Sequence, residues 1–501
     1  MNSTRRSISL AWLLDGIASV PASAAQIQDL ALDTRFVQEG SLFFALRGTR
    51  AHGLDFVGEA VRRGASAVLW EPADGVAAPT LPSAVFCAPV AGLSRLIGRI
   101  ADRFYEWPTA NLQVAGITGT NGKTTCAYLL AEALNILRGN AAYMGTIGIG
   151  RVDALRSASH TTPDAVSAQR EFAALRADGV RFVAMEVSSH ALHQNRVAGV
   201  RFHSAAFTNL SRDHLDYHGS MQAYGEAKAL LFKRDDVHHM VINVGDAFGR
   251  ELAASVAGRA DVTAIWIGGN DSGWLAPKTL FATEIRSDAA GLSIDFAGSL
   301  GSGTLHTRLI GRFNAENVLV VMGLLLSFGV SLPDAIEAIG RCHAPPGRMQ
   351  AVRGAVDRPL AVIDYAHSPD ALAKVLLAAR EHCKGHVWCV FGCGGDRDAG
   401  KRPLMGAVAD ELADHVIVTD DNPRTELPES ITGAIAAAIH RHDVRVINDR
   451  REAIRTALTE ARADDVVLIA GKGHEEYQIY GDRRTPFSDK LEVERYFGVA
   501  A

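Results

Sequence analysis

The chain has 501 residues, of which 48% are hydrophobic and 21% are charged, and its formal net charge is −5. This length exceeds one ordinary domain, so about three domains are expected, each with enough apolar residues for a core of its own. The acidic balance argues against nucleic-acid binding, and no apolar run approaches the ~20 residues that a membrane helix requires, which excludes membrane insertion.

The N-terminal segment imitates an export signal only in part. Arg5 and Arg6 precede an apolar run at residues 8–14, and small residues follow at 22–24. Asp15 interrupts the run early for a signal peptide. The six cysteines form no C-x-x-C pair, as expected of a reduced protein. The sequence therefore predicts an ordinary N-terminal helix and a cytoplasmic location.

Residues 1–108 are expected to form a small first domain of mixed strands and helices. Short apolar runs predict strands at 41–46, 67–70 and 84–88. Pro108 marks the boundary with the next region.

A glycine turn at residues 119–125, with the sequence Gly-Thr-Asn-Gly-Lys-Thr-Thr, is the most informative stretch. It follows an apolar run at 112–117 and precedes a helical pattern. A strand, a glycine turn and a helix N-terminus direct several backbone N–H groups at one point, where an anion binds. Lys123 can reach the outer phosphates, and Thr124 or Thr125 can bind Mg²⁺. The turn lacks the first glycine of the common G-x-x-x-x-G-K pattern, and this shorter form is a narrower signal for a triphosphate site.

Residues 109–344 are expected to form an α/β domain around this turn. The hydrophobic patterns predict strands at 182–187 and 240–243, a hairpin at 282–296 around Gly291, and helices at 317–328 and from 331 onward.

Three side chains of this region are candidates for metal chemistry. Glu186 ends a predicted strand beside the phosphate turn, where a nucleotide-bound Mg²⁺ requires a carboxylate. His214, in the polar stretch 208–216, is equally well explained as a metal ligand or as a packed histidine. Lys228 lies on a predicted helix, and its residue type alone indicates a solvated surface lysine.

Residues 345–501 are expected to form a doubly wound parallel sheet, after a linker at 343–347. The predicted strands lie at 360–363, 386–391, 415–419, 444–447 and 465–470, with amphipathic helices between them, for example at 370–383 and 429–442. Ligands bind beyond the carboxyl ends of such strands. The residues at those ends are Asp364, 392–398, 420–424 and 471–475.

Two arginines and a glutamate in these loops suit an amino acid with a second polar end. Arg397 and Arg424 can each hold a carboxylate by bidentate contacts, although either is equally well explained as a surface arginine. Glu475 offers a carboxylate to an ammonium group.

Taken together, these motifs resemble the Mur ligase family, the ATP-dependent amide ligases of peptidoglycan precursor synthesis. The resemblance extends from about residue 32 to 489. The matching motifs are G-T-N-G-K-T-T at 119–125, M-E-V-S-S-H-A-L at 185–192, T-N-L-x-x-D-H-L-D at 208–216, G-R-F-N-x-x-N at 311–317, G-R-M at 347–349 and D-Y-A-H at 364–367. The resemblance implies an α/β fold of three domains: a small UDP-binding domain, a central P-loop-type ATPase domain and a C-terminal Rossmann-like domain.

The resemblance also implies roles for individual residues. ATP would be bound by Gly119, Thr120, Asn121, Gly122, Lys123, Thr124, Thr125, Asn317, Arg348 and Asp364. The UDP-muramoyl dipeptide would be bound by Leu32, Thr34, Thr49, Arg50, Ala51, His160, Thr161, Thr162, Ser188, Gln194 and Arg196. The catalytic residues would be Lys123, Glu186, His214 and Lys228, and Mg²⁺ would be held by Thr124, Thr125, Glu186, His214 and a Lys228 carbamylated by CO₂.

The incoming amino acid is implied in the same way. The D-N-P-R form at 421–424 is the family variant associated with meso-diaminopimelate, whereas relatives that use L-lysine differ there. The amino-acid site would consist of Arg397, Asp421, Asn422, Pro423, Arg424, Gly471 and Glu475. The expected reaction joins meso-diaminopimelate to the D-glutamyl γ-carboxylate of a UDP-N-acetylmuramoyl dipeptide through an acyl phosphate, in a protein expected to be a monomer.

Several positions depart from the family pattern and leave alternatives open. Thr34 stands for a common serine, Thr49-Arg50 for a frequent His-Gln pair, His160 for a frequent asparagine and Gln350 for a frequent glutamate. The nearer alternatives are an L-lysine-adding ligase and a folylpolyglutamate synthetase. The more distant alternative is a non-catalytic module that uses ATP as a switch.

Overall fold

A computed structural model describes residues 7–48, 51–158, 160–259, 261–268, 278–355, 357–441 and 444–499. The chain divides into two compact units. The first unit comprises residues 1–123, 138–240 and 254–261, and the second comprises 124–137, 241–253 and 262–501.

The first unit begins with a four-stranded parallel sheet. Its strands are, in spatial order, Asp29–Ala31, Ser41–Ala45, Ala65–Trp70 and Phe86–Pro89. The three predicted strands are present with ends moved by one or two residues, and the three-residue strand Asp29–Ala31 is too short for its pattern to be recognised. Its helices are Val57–Arg62 and Leu93–Phe104, with single 3-10 turns at Thr34–Phe36, Gly53–Phe56 and Pro108–Ala110.

The predicted N-terminal helix is present as a short turn of helix, Leu10–Leu14. Leu10, Leu13 and Leu14 are buried in the core of the four-stranded sheet. The strand Ile8–Ser9 before it pairs antiparallel with Gln26–Ile27.

A second group of strands in the first unit places the phosphate turn. In spatial order these strands are Ser204–Phe207, Gln113–Thr118, Phe182–Glu186, Ala141–Gly145 and Gly148–Gly150. All are parallel except the last, which is antiparallel to its neighbour. Because Glu186 pairs in register with Ile117, the end of its strand lies beside the start of the phosphate turn. The helices are Ala165–Ala177, Ser189–His193, Leu215–His218 and Met221–Ala229.

The second unit opens with the helix that follows the phosphate turn, Lys123–Arg138, of which only the two end residues belong to the first unit. The predicted hairpin is present as Lys278–Asp288 and Gly291–Ala297, extended by the antiparallel strand Gly303–Thr307. The helices Phe313–Ser327 and Leu332–Arg341 also belong to the second unit. The strands His239–Asn243 and Asp261–Ile267 and the helix Ala247–Ser255 belong mostly to it, apart from one or two end residues of each that are assigned to the first unit.

The C-terminal part of the second unit is a six-stranded sheet. Its strands are, in spatial order, Gln350–Arg353, Leu360–Asp364, Val466–Ala470, Val387–Phe391, His415–Val418 and Arg445–Val446. The last five are parallel, as predicted. A sixth strand, Gln350–Arg353, was not predicted and pairs antiparallel with Leu360–Asp364 at one edge.

Alternate residues of these strands point into two separate cores. Val362, Cys389 and Leu468 belong to one core, and Ile363 and Ile469 belong to the other. The helices that cover the two faces are Pro369–Glu381, Lys401–Leu412, Pro428–Ala436, Arg450–Glu460 and Asp489–Phe497. The sheet is therefore doubly wound. A small hairpin, Tyr477–Tyr480 with Arg483–Pro486, is also present.

No helix within the described residues is both long enough and apolar enough to cross a membrane.

Candidate active site

The predicted phosphate turn is formed by residues 119–122 and closed by the segment after strand Ser204–Phe207. The backbone N–H of Thr120 donates to the Asn209 carbonyl (2.8 Å), and that of Asn121 donates to Asn209 Oδ1 (3.0 Å). Gly119 has a φ of +150°, and a Cβ there would lie 1.8 Å from Thr208 Oγ1. A side chain at this position is therefore excluded both by backbone conformation and by space.

The Lys123 ammonium group lies against the backbone of the phosphate turn. Its Nζ donates to the carbonyls of Gly119 (2.9 Å) and Thr120 (2.8 Å). The ammonium group is thus placed at the start of the helix, where the dipole already favours an anion.

Thr124 and Thr125 occupy the first turn of that helix, Thr124 buried and Thr125 half-buried. At the next residue, the Cys126 thiol faces Asn317, 3.4 Å from its Oδ1. Asn317 is held in turn by Asn314, whose Oδ1 accepts from Asn317 Nδ2 (2.7 Å). Asn317, predicted to contact ATP, therefore packs against the beginning of the helix that follows the phosphate turn.

Glu186 is fully buried at the end of its strand. Its Oε1 accepts from the Tyr143 hydroxyl and from the Thr146 backbone N–H (2.8 Å), and its Oε2 from Thr146 Oγ1 (3.3 Å). These donors are neutral, so they orient the carboxylate without cancelling its charge. Gly145 makes the arrangement possible, since a Cβ there would lie 2.2 Å from Glu186 Oε1. Sequence reasoning found Glu186 but not Tyr143 or Thr146, whose roles depend on the pairing of distant strands.

Lys228 is buried, so the interpretation of its residue type as a solvated surface lysine is wrong. Only 1% of it is exposed, and its Nζ donates to the Gly119 carbonyl (2.8 Å). The Nζ also lies 4.1 Å from the centre of the Tyr224 ring. Burial, reinforced by the charge of Lys123 and opposed by Asp213, lowers the pKa of Lys228 to about 6. The amine is therefore mainly neutral at pH 7.

His214 lies in an exposed aromatic group rather than in the core. Its backbone is left-handed (φ +51°), and its Nδ1 is 3.5 Å from Asp213 Oδ1. Its ring is 4.9 Å from the His190 ring and 5.9 Å from the Tyr224 ring, which also contacts Lys228. The ring contacts show that His214 is packed against other aromatic rings, and its exposure leaves it accessible to a metal ion, so both explanations offered by the sequence stand.

The chemistry of these side chains fits a hard cation bound together with phosphate. Glu186 offers a charged oxygen, and Lys228, once carbamylated, would offer another. Within the described ranges, no group of three or more His, Cys, Asp or Glu side chains forms a metal site by itself. A site completed by phosphate oxygens and water is what Mg²⁺ prefers.

Five of the predicted dipeptide contacts come together near the end of the Glu186 strand. Thr162 Oγ1 donates to the Glu186 carbonyl (2.8 Å) and accepts from the Ser188 N–H (3.0 Å). Arg196 donates to the Thr162 carbonyl (3.2 Å) and to Gln194 Oε1 (2.6 Å). Thr161 and Thr146 share a hydroxyl contact of 3.0 Å. Hydroxyl, amide and guanidinium groups are therefore concentrated next to the carboxyl end of the Glu186 strand.

Two further side chains frame this group. Tyr217, which the sequence did not single out, accepts from Gln194 Nε2 (2.9 Å) and lies against the His190 ring. His160, the predicted contact that departs from the family pattern, is exposed.

The predicted uridine contacts lie in two turns of the first sheet. Thr34 is buried, and its hydroxyl donates to Glu59 Oε2 (3.1 Å), while Leu32 is half-buried two residues earlier. Ala51 is exposed and its carbonyl accepts from the Gly48 N–H (3.0 Å). Thr49 and Arg50, also predicted to bind the substrate, lie outside the described residues.

Asp364 and Arg348, both predicted to contact ATP, lie in two segments that are in contact with each other. Asp364 accepts from the backbone N–H groups of Met349 (2.7 Å) and Ala366 (2.8 Å). Burial raises the pKa of Asp364, and the nearby Arg348 opposes that shift. The Arg348 guanidinium lies 5.2 Å from the centre of the Tyr365 ring.

The predicted amino-acid loops meet at the carboxyl ends of the C-terminal strands. A Cβ on Gly394 would lie 2.8 Å from Arg424 Nη1 and 3.8 Å from Arg397 Cγ, so both arginines flank this glycine. Asn422 Nδ2 donates to Glu475 Oε2 (2.9 Å).

Gly471 and Gly395 allow these loops to approach one another. Gly471 has a φ of +116°, and a Cβ there would lie 3.2 Å from Asp421 Oδ2. A Cβ on Gly395 would lie 1.9 Å from the Pro423 carbonyl, so at this point the two loops pack backbone to backbone.

Arg424 is the most firmly placed of these residues. It has a left-handed backbone (φ +53°), its N–H donates to Ile479 O (3.0 Å) and its Nη1 donates to the Gly395 carbonyl (2.7 Å). The hairpin Tyr477–Tyr480, which sequence reasoning missed, therefore fixes the backbone of Arg424. The sequence does contain a signal for this hairpin, because Gly481-Asp482 is a dipeptide typical of two-residue hairpin turns and it separates the two short strands.

Three family descriptions match successive parts of the chain. "Mur ligase family, catalytic domain" matches residues 26–105, "Mur ligase middle domain" matches 117–325, and "Mur ligase, glutamate ligase domain" matches 347–473.

Similar proteins cover nearly the whole chain. A UDP-N-acetylmuramoyl-L-alanyl-D-glutamate--2,6-diaminopimelate ligase of Ectopseudomonas mendocina is 47% identical over 96% of this chain and 97% of its own length. The enzyme of the same name from Coxiella burnetii is 43% identical over 97% and 99%.

Solved structures agree in fold. A structure with that same enzyme name is 34% identical, covers 98% of this chain and 99% of its own, and has a TM-score of 0.73. A MurF structure from Acinetobacter baumannii is 17% identical, with coverages of 98% and 99% and a TM-score of 0.64, and shows likeness of fold alone.

Proposed function

The chain belongs to the Mur ligase family, and we propose from that premise how its residues divide the work of the ligase reaction. It is an ATP-dependent ligase that adds 2,6-diaminopimelate to UDP-N-acetylmuramoyl-L-alanyl-D-glutamate, in peptidoglycan synthesis. The observation that carries this conclusion is identity of 43–47% over nearly the full length of relatives named for that activity. Its α/β fold has the N-terminal, middle and C-terminal domains of the family.

ATP is the co-substrate, and we assign its phosphates to the 119–125 turn. Lys123 supplies a positive charge there, and Thr124, Thr125, Glu186 and His214 are the proposed Mg²⁺ ligands. Bound Mg²⁺ would neutralise negative charge on the phosphates during transfer. Asn317, Arg348 and Asp364 are the proposed contacts to adenine and ribose.

Lys228 is the proposed site of carbamylation. In that reaction the neutral amine attacks the carbon of CO₂, an N–C bond forms and the nitrogen loses a proton. The product is an anionic oxygen ligand in place of a cation, which suits a second Mg²⁺. Support comes from a buried amine whose pKa is lowered to about 6, so that the nucleophilic neutral form is available at pH 7.

The proposed chemistry proceeds in two steps. The D-glutamyl γ-carboxylate attacks the γ-phosphorus of ATP, and ADP leaves, which gives an acyl phosphate. The neutral amine of diaminopimelate then attacks the acyl carbon, a C–N bond forms, the C–O bond to phosphate breaks and the nitrogen loses a proton. The dipeptide is held for this reaction by the hydroxyl and guanidinium groups gathered around Thr162 and Arg196, together with Leu32, Thr34, Thr49, Arg50, Ala51, His160, Thr161, Ser188 and Gln194.

The choice of diaminopimelate over L-lysine is assigned to Arg424, with Arg397 beside it. Diaminopimelate has a second carboxylate that lysine lacks. An arginine left without its carboxylate by lysine would cost roughly 2–4 kcal/mol, which is enough to discriminate. Asp421, Asn422, Pro423, Gly471 and Glu475 complete the proposed amino-acid site. Use of the meso isomer, a monomeric state and a cytoplasmic location belong to the same proposal.

The deciding experiment is phosphate release from ATP with UDP-N-acetylmuramoyl-L-alanyl-D-glutamate, comparing meso-diaminopimelate with L-lysine. Release with diaminopimelate alone is expected. Release with lysine as well would retain the ligase and contradict the role of Arg424. Phosphate release without any amino acid would favour the nucleotide switch, and folate-dependent release would favour a folylpolyglutamate synthetase.

A further inference from the structure

Lys472 is a fully buried lysine in the loop that follows strand Val466–Ala470. Its side chain has no exposed surface, and it lies between Gly471 (φ +116°) and Gly473 (φ +54°). A buried ammonium is costly unless oxygen atoms surround it, so its contacts indicate what it is for.

The Lys472 ammonium joins three residues of the proposed amino-acid site. Its Nζ lies 3.2 Å from Glu475 Oε2, 3.2 Å from Asn422 Oδ1 and 3.4 Å from Asp421 Oδ1. These partners come from two different loops, one at 421–422 and one at 475. The Lys472 ammonium therefore links the loop at 421–422 to the loop that contains Glu475.

The same contacts fix which way the Asn422 amide faces. Its Oδ1 accepts from Lys472 Nζ and from the Ile479 N–H (3.0 Å), so its Nδ2 is left to donate to Glu475 Oε2 (2.9 Å). Both of these restraints on Glu475 fall on Oε2. Lys472 and Asn422 thus restrain the Glu475 carboxylate together, through the same oxygen.

The Lys472 ammonium also lies between two negative charges. Asp421 and Glu475 are both within 3.4 Å of the same Nζ, so these two carboxylates are near neighbours. Without the Lys472 cation their mutual repulsion would act against the present orientation of Glu475.

We propose that Lys472 is a positioning residue for the incoming amino acid, which keeps the Glu475 carboxylate oriented to receive a substrate ammonium. The inference rests on the proposed function, because it assigns Glu475 to the amino-acid site. Lys472 itself is enclosed by its partners and acts through Glu475 and Asn422.

The first test compares Lys472→Met with the wild-type enzyme in full steady-state kinetics. The KM for diaminopimelate is expected to rise about tenfold or more, with kcat and the KM for ATP changed less than about twofold. Lys490→Met, which removes a half-buried lysine paired with Glu494 on helix Asp489–Phe497, is the matched control and should change none of these values.

A double-mutant cycle asks whether Lys472 acts through Glu475. Lys472→Met should cost little further in a Glu475→Gln background, since the carboxylate that it positions is already gone. The proposal would be overturned if the effects of Lys472→Met and Glu475→Gln were additive. It would also be overturned if Lys472→Met lowered kcat and raised the KM values for ATP, the UDP-dipeptide and diaminopimelate by similar factors. Lys472→Gln, which retains a donor without the charge, is the second variant and should show a smaller rise in the same KM.

The outcomes separate this inference from the proposed function. A wild-type enzyme that does not use diaminopimelate would overturn the proposed function. An active wild-type enzyme with an unchanged KM for diaminopimelate in Lys472→Met would overturn the role of Lys472 alone. If Lys472→Met and Lys472→Gln both fail to fold, the residue is structural and the proposal is wrong.

Discussion

At the scale of single residues, Lys228 is the position where burial and chemistry are most closely linked. Its amine lies against the phosphate turn, 2.8 Å from the Gly119 carbonyl, and burial leaves it neutral. Replacing it by alanine removes the only atom at this position that can carry the carbamate.

We expect Lys228→Ala to abolish turnover while UDP-dipeptide binding, measured by calorimetry, stays close to wild type. High bicarbonate should not restore activity, because no amine remains to react. Lys374→Ala, at an exposed position of helix Pro369–Glu381, is the control. Near-normal turnover in Lys228→Ala would contradict the carbamate.

Arg424 carries the prediction about substrate choice. Arg424→Ala should raise the KM for diaminopimelate about tenfold or more, with little change in the KM for ATP, because one carboxylate of the substrate loses its partner. Arg455→Ala, on the exposed side of helix Arg450–Glu460, should leave both constants unchanged. An unchanged KM for diaminopimelate in Arg424→Ala would remove this residue from the site.

Asp102 makes stability depend on pH. Its Oδ1 is buried without a hydrogen-bond partner among the described residues, and burial raises the pKa of this carboxyl to about 6, against the opposing charge of Arg201. The folded protein therefore holds the Asp102 proton more tightly than the unfolded chain does. Its destabilising effect is absent below about pH 4, grows between pH 4 and 6 and is complete above pH 6.

Asp102→Asn should consequently stabilise the protein at about pH 8, by about 1–2 kcal/mol after allowance for solvent screening, and have little effect near pH 4. Urea unfolding of both proteins across this range measures the difference. The same difference at every pH would show that charge is not its cause.

The sequence predicted residues best where the local motif determines the role. Lys123 and Glu186 follow from a glycine turn and a strand end, which are local patterns. Lys228 and Lys472 do not, because a lysine on a helix or in a loop gives no sign of burial, and both are enclosed by segments far away in the chain.

At the scale of secondary-structure elements, the phosphate turn and the helix after it are both present as predicted, because glycines and a helix start leave a strong local signal. The antiparallel edge strand Gln350–Arg353 and the hairpin Tyr477–Tyr480 were missed. Both have strands of only four residues, and their pairing depends on partners fixed by the rest of the sheet.

The phosphate turn also carries a prediction of its own. Gly119→Ala should reduce ATP-dependent phosphate release about a hundredfold or more, since the new Cβ would collide with Thr208 Oγ1 and displace the turn. Gly433→Ala is the matched control, because a Cβ there meets no atom within 4 Å and the residue lies in helix Pro428–Ala436. It should leave activity unchanged and stabilise the helix slightly. Normal phosphate release in Gly119→Ala would mean that the turn does not bind the nucleotide.

At the scale of the whole molecule, the three-domain α/β organisation could be predicted from length, from the phosphate turn and from the alternating strands of the C-terminal part. The exact boundaries at 108 and 344 stay predictions. Boundaries depend on how segments distant in the chain pack together, and residue patterns near Pro108 or at 343–347 reveal only where the chain can bend.

The linker at 343–347 joins the expected ATPase domain to the expected C-terminal domain. An acyl phosphate hydrolyses readily in water, so we propose that the C-terminal domain closes over the ATPase domain during turnover and excludes water. At the linker, His343 is tied to Glu132 by its N–H and by its ring Nδ1, both at 2.9 Å. This contact fixes one end of the linker, and movement would occur beyond it.

Small-angle scattering with an ATP analogue and the UDP-dipeptide should therefore show a smaller radius of gyration than scattering of the protein alone. Either ligand added singly is the control and should give a smaller change. Identical profiles with and without both ligands would contradict closure. The acyl phosphate would then have to be protected from water by residues already packed around it. In that case Glu132→Ala, which frees the linker end at His343, would not change the ratio of phosphate released to amide bond formed.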